Sequence, residues 1–198
     1  MRVFRPLIVV LPLLVAGCSV QGPESRAPEV TARPVAGDPV SEQPPAFHFE
    51  SGDLVLGEFD PYTIGDNLFD PCAEISEEEF AAVGLVKGEA LTNQYLEIAG
   101  LRSCEARTTH ADIGVSLISN RLRAEEIKSQ SVFVEPVEVV PDGFAFGPPF
   151  LEEGICDVGV STVRGTFSVS ASAIRPVTNQ AELCQVSADI LEKLYTLD

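Results

Sequence analysis

Four cysteines, Cys72, Cys104, Cys156 and Cys184, are spread through the last two thirds of this 198-residue chain, and they constrain its fold more than any other feature. No two of them lie close in sequence, so there is no Cys-x-x-Cys half-site for zinc or for thioredoxin-type redox chemistry. In an oxidising compartment such thiols become staples. Four cysteines allow three pairings. The sequential pairing, Cys72–Cys104 with Cys156–Cys184, sets one staple in each half of the folded region and is the one expected. Each bond closes a loop of about 30 residues, worth roughly 3–4 kcal/mol if the gain comes from restricting the unfolded chain.

The N terminus speaks to the compartment. Arg2 and Arg5 precede the apolar run Leu7 to Ala16, and Pro12 interrupts that run. Its length of about ten residues falls short of the roughly 20 that a spanning helix needs, so it reads as an export signal and not as a transmembrane anchor. The run ends in Val15-Ala16-Gly17-Cys18, which resembles the lipobox of bacterial lipoproteins: an aliphatic residue, two small ones and a cysteine. Small side chains let the extended chain enter a peptidase cleft, and the Cys18 thiol becomes a thioether to diacylglycerol. Two acyl chains meet the requirement for stable membrane attachment. The expectation is a signal peptide over 1–17, lipidation at Cys18, and a location on the extracytoplasmic face of the cell membrane.

Loss of Arg2 and Arg5 with the signal takes the formal charge from −17 to −19. A surface of that sign repels anionic phospholipid and nucleic acid, so no nucleic-acid partner is expected. Residues 18–46 follow as the lipidated cysteine and a tether with prolines at 23, 28, 34, 39, 44 and 45 and few large apolar side chains. Such a segment cannot bury a core. Residues 47–198 are then the length of one globular domain.

Within that domain, Ser76 and Glu79 have the Ser-x-x-Glu spacing of a capping box, Ile75 and Phe80 that of a hydrophobic staple, and Gly84 can end the helix. Glu77, Glu78 and Glu79 therefore read as first-turn acids that complement the helix dipole, in preference to a metal cluster. A strand is expected over roughly Glu97–Arg107. Ile113, Val115 and Leu117 alternate with Asp112, Gly114 and Ser116 as a second strand, and Thr108–Ala111 can turn between the two. Asn120–Lys128 reads as a short helix. Ser131–Val140 reads as an edge strand broken by Pro136, and Pro141-Asp142-Gly143 as a turn. Cys156, Val158, Val160 and Thr162 share a strand face, as do Phe167, Val169, Ala171 and Ala173, with Arg164-Gly165 turning between the strands. A final helix over Gln180–Tyr195 carries Leu183, Val186, Ile190, Leu194 and, just beyond its end, Leu197 in one stripe. The whole is an α+β pattern: an antiparallel sheet packed with helices and closed by two disulfides.

Phe69-Asp70-Pro71-Cys72-Ala73-Glu74-Ile75-Ser76 resembles the Asp-Pro-Cys opening of an uncharacterised lipoprotein domain family of actinobacteria. Members of that family carry a second cysteine after a variable stretch, here Cys104. They have a late Cys-x-Val-x-Val strand, here Cys156-Asp157-Val158-Gly159-Val160, and a cysteine near the start of a terminal helix, here Cys184. The resemblance covers about Asp70 to the end. It implies an exported, lipid-anchored domain similar to the PsbP-like α/β sandwiches, and it implies no activity. Many members place tryptophan two residues after the second cysteine. Here that position is Ala106, and the chain has no tryptophan.

There is no Gly-x-x-x-x-Gly-Lys, no Gly-x-Gly-x-x-Gly and no Gly-x-Ser-x-Gly. Asp60, Asp66 and Asp70 do not have the spacing of an EF-hand loop. The two histidines, His48 beside the tether and His110 in an expected turn, read as solvated. No cofactor, metal or catalytic residue is expected. The functional expectation is a non-enzymatic envelope module that binds a protein partner, with a small apolar-ligand binder as the alternative.

Overall fold

The computed structural model describes residues 43–91, 100–109, 112–147, 154–174 and 179–197. The signal, Cys18, the tether as far as residue 42, and His110 lie outside the described residues.

The first element is a hairpin of β1 (Ala46–Phe49) and β2 (Gly52–Val55), joined through Gly52 in a positive-φ conformation. It corrects the reading of Ala46 as tether and of His48 as tether edge. Phe47, Phe49 and Ala46 are buried, whereas His48 points to solvent and donates or accepts at 2.8 Å with Asp53 across the strands. Two phenylalanines flanking one polar residue already form the shortest period-two pattern.

Next come α1 (Pro71–Glu74) and α2 (Glu77–Ala82). Asp70 caps α1 by accepting from the N–H groups of Cys72 and Ala73, with Pro71 at the first helical position where a missing N–H costs nothing. Ser76 and Glu79 form the expected capping box around α2, and Ile75 and Phe80 are both fully buried. Gly84, at φ 83°, lets the chain leave the helix in the left-handed region.

Seven strands make one antiparallel sheet: β3 (Val86–Ala90), β4 (Leu101–Arg107), β5 (Ile113–Asn120), β6 (Val134–Pro136), β7 (Phe144–Phe146), β8 (Ile155–Thr162) and β9 (Gly165–Ala173). Their spatial order is β3-β4-β5-β9-β8-β7-β6. β4 lies within the first expected strand and starts at Leu101, after Gly100 turns the chain at φ 64°. β6 is the expected edge strand, and its Pro136 sits where no further neighbour needs an N–H. The β8–β9 turn is Val163-Arg164, one residue earlier than expected, because Gly165 already pairs with Thr162.

Two helices complete the described part: α3 (Ala124–Gln130) and α4 (Gln180–Tyr195). α3 starts later than expected. Asn120 is held in the ladder between Leu101 and Thr166, and its side chain accepts from the Leu122 N–H, so the backbone turns helical only after Arg123. α4 has the expected bounds, with Asn179 as its cap. Its stripe is wider than expected: Leu183, Ile190 and Leu194 are buried as read, and so are Ser187, Ala188 and Leu191.

Alternation assigns the layers. Cys104, Ala106, Val115, Leu117, Cys156, Val158, Val160, Phe167, Val169 and Ala171 face one side of the sheet. α1, α4 and β1 pack there. Phe47 meets Phe167 and Tyr195 edge-on at 5.4 Å, and Phe69 meets Phe167 at 5.3 Å, so aromatic rings fill this layer. On the opposite, outer side, Ile127 of α3 packs with Phe144 and Phe146 over one end of the sheet. The result is an α+β domain with two disulfides. Cys72–Cys104 ties α1 to β4, and Cys156–Cys184 ties β8 to α4, with Cα separations of 4.9 and 5.0 Å.

Candidate functional site

The Asp-Pro-Cys segment is a structural joint. Beyond the disulfide, the Arg164 guanidinium forks onto the Glu74 carboxylate at 2.5 and 2.8 Å, donates to the Asn67 carbonyl at 3.0 Å and lies over the Phe69 ring. Burial pushes the Glu74 carboxyl up, but the hydrogen bond from Arg164, the Asp70 N–H and the guanidinium charge outweigh it and hold the group below its ordinary value. The three glutamates of α2 are likewise accounted for. Glu79 is buried and accepts from the N–H groups of Ser76 and Glu50, which sets the β1–β2 hairpin against α2.

The outer face of the sheet is different. Away from α3 it carries mainly serine and glycine. Register places Glu105, Ser116, Ser170 and Asp157 in one row across β4, β5, β9 and β8, and the row continues to Phe146 on β7. The next row holds Gly114 and Ser172. Gly88, Glu105, Arg107, Gly114, Ser116 and Ser172 line an open cleft of about 650 Å³ on this face. A Cβ at Gly88 would meet the Glu105 carbonyl at 2.7 Å, and one at Gly114 would meet the Ser172 hydroxyl at 2.9 Å, so neither position has room for a side chain.

Asp157 stands on β8, between Ser170 and Phe146 in that row. It is 8% exposed, and its Oδ1 has no hydrogen-bond partner among the described residues. Burial pushes its carboxyl up to about 6, against the hydrogen bond from the Ser170 side chain. A buried carboxylate short of a partner weakens the fold that contains it, and such groups concentrate where a ligand or a reaction needs them. The sequence signal for Asp157 was present but ambiguous: it is the first x of Cys-x-Val-x-Val, a position that alternation alone assigns to solvent.

The other residues considered at the outset do not assemble. His48 and Asp53 are paired and more than half exposed. Asp60 caps its own turn by accepting from the Tyr62 N–H, and Asp70 caps α1. Among the described residues no group of three or more His, Cys, Asp and Glu is placed to hold a metal ion, and no helix is long and apolar enough to cross a membrane.

The fold and its outer face define an α+β domain stapled twice, with a polar cleft and, among the described residues, one buried carboxylate oxygen without a partner. A family model described as "Protein of unknown function (DUF3558)" matches residues 13–197, and the chain belongs to that family. No curated protein and no solved structure matches it.

Proposed function

We propose that the chain is a lipid-anchored, non-enzymatic binding module of the cell envelope that engages a protein partner through the outer face of its sheet. Cys18 carries the lipid on the extracytoplasmic side of the membrane, and the proline-rich residues after it act as the spacer. The lipobox-like Val15-Ala16-Gly17-Cys18 supports the anchor. Two disulfides in one domain support an oxidising compartment.

The observation that carries the binding role is the contrast between the two sheet faces. One is closed by helices and aromatic rings. The other carries an open cleft lined by Gly88, Gly114, Ser116 and Ser172. Small polar side chains favour close approach of another backbone and supply hydrogen bonds without demanding burial of their own.

The test is photo-crosslinking in intact cells, with the crosslinking residue placed at Ser116 in the cleft or at Glu192 on α4. The proposal expects one reproducible protein adduct from position 116 and none from 192. Equal labelling from both positions, or none above background, overturns it.

A further inference from the structure

We propose that the cleft binds the C-terminal residue of the partner and that this residue is a lysine, its α-carboxylate over Gly114 and its side-chain ammonium between Glu89 and Glu105. This deepens the binding-module reading and rests on it.

The strand geometry brings the charges together. β3 pairs with β4 through Lys87↔Ala106 and Ala90↔Cys104, so Gly88 and Glu89 both fall opposite Glu105. Two residues facing one make a β-bulge, which re-aims a side chain. In an unbroken ladder Glu89 would share the side of Lys87, whose Nζ donates to the Ile75 carbonyl at 2.6 Å. The bulge instead sets Glu89 on the cleft beside Glu105, and both residues are exposed. Arg107, two residues further along β4 and also exposed, lines the same cleft. Among the described residues no ion pair joins it to Glu105 or to Glu89. Its row runs through Gly114 to Ser172.

The chemistry supplies the ligand. A guanidinium binds a carboxylate through two parallel N–H donors, and a serine hydroxyl adds a third. Gly114 stands between Arg107 and Ser172 and has no side chain to fill the space above it, so a carboxylate there meets both. The Glu89 and Glu105 carboxylates call for a cation, and an ammonium has donors enough for both. From Gly114 to Glu105, one strand across and two residues along, the diagonal is about 8 Å. Lysine carries its ammonium on a flexible four-carbon stem, which bridges that diagonal from a terminal carboxylate. Carboxylate and ammonium occur together on one lysine when it is free or when it ends a chain, and the role of this face toward a protein partner selects the chain end. Two carboxylates against one guanidinium, on a chain of formal charge −17, turn away a ligand that is only anionic.

The experiment is an NMR amide-shift titration of the full chain in detergent with acetyl-Gly-Ala-Lys bearing a free carboxylate. Its C-terminal amide, acetyl-Gly-Ala-Leu and free L-lysine serve as comparisons at the same ionic strength. The inference expects saturable one-to-one binding with shifts centred on Gly88, Gly114 and Ser116. Amidation, or leucine in place of lysine, should weaken binding about fivefold or more, and free L-lysine should bind several-fold more weakly than the peptide. Arg107→Gln should remove the preference for the free carboxylate while keeping that for lysine over leucine. Glu105→Gln with Glu89→Gln should do the reverse, and Glu192→Gln on α4 should change neither. All three cleft side chains are exposed, so loss of folding does not confuse the result. No saturable binding, indifference to amidation or to lysine, shifts centred away from the cleft, or free L-lysine binding as tightly as the peptide each overturns the inference. A protein captured from position 116 in cells, together with any of these failures, leaves the binding module standing and removes the lysine terminus.

Discussion

Arg164 and Glu74, 90 positions apart, form a two-bond ion pair that locks the β8–β9 turn onto the helix of the Asp-Pro-Cys segment. Each side chain is about a quarter exposed, so the pair is screened by solvent yet not free in it. Removing one partner leaves the other half-buried and unpaired. Arg164→Ala is expected to destabilise the domain by about 2 kcal/mol, measured by urea unfolding. Glu74 also titrates with a lowered folded value, so its contribution is present above the ordinary carboxylate range and fades as pH falls through the folded value. Glu74→Gln should abolish that acid-side fade.

Asp157 runs the other way. Its folded value is raised from 3.8 to about 6. Below the unfolded value both states are protonated. As pH rises from about 4 to about 6 the unfolded chain ionises first, and stability falls by roughly 3 kcal/mol, then levels off. Asp157→Asn should therefore match the parent near pH 3.5 and exceed it by a similar amount at pH 7. Chemical denaturation across that range checks this. A variant no more stable than its parent at pH 7 would mean that the carboxylate is not strained by its burial.

The two disulfides close loops of 32 and 28 residues. Replacing Cys156 and Cys184 together by alanine is expected to cost roughly 3–4 kcal/mol and to loosen α4 from β8, read as faster amide exchange along α4. Replacing Cys72 and Cys104 should cost a similar amount while leaving α4 protected, because that bond ties α1 to β4.

The caps give a smaller, independent check. Asp70→Ala removes the acceptor for two N–H groups of α1, and Ser76→Ala removes half of the capping box of α2. Each is expected to cost about 1 kcal/mol. Ser76→Gly should recover much of the loss, since glycine is tolerated at that position.

What could be read from the sequence was what is local. The Ser76–Glu79 box, the α4 stripe and the alternation of β5, β8 and β9 are set by neighbours within a few residues, and each lies where its pattern put it. The hairpin of Phe47 and Phe49 is not legible because four residues after a proline-rich stretch give too short a pattern to separate from it. The order of strands was not legible. β5 pairs with β9 about 50 residues away, and nothing local marks that choice. The candidate site was hidden for the same reason. Asp157, Ser170, Ser116 and Glu105 come from four strands, and only register aligns them. Cys18 and His110 fall outside the described residues.

The most direct measurement is native mass spectrometry of the chain extracted in detergent from its own membrane, since one spectrum reads the cleavage point, the acylation and any bound protein. The account predicts a chain that begins at Cys18, carries a diacylglycerol-derived mass and retains a protein partner in a reproducible fraction of the ions. A chain that still begins at Met1, without acyl mass and without any bound protein, would contradict it.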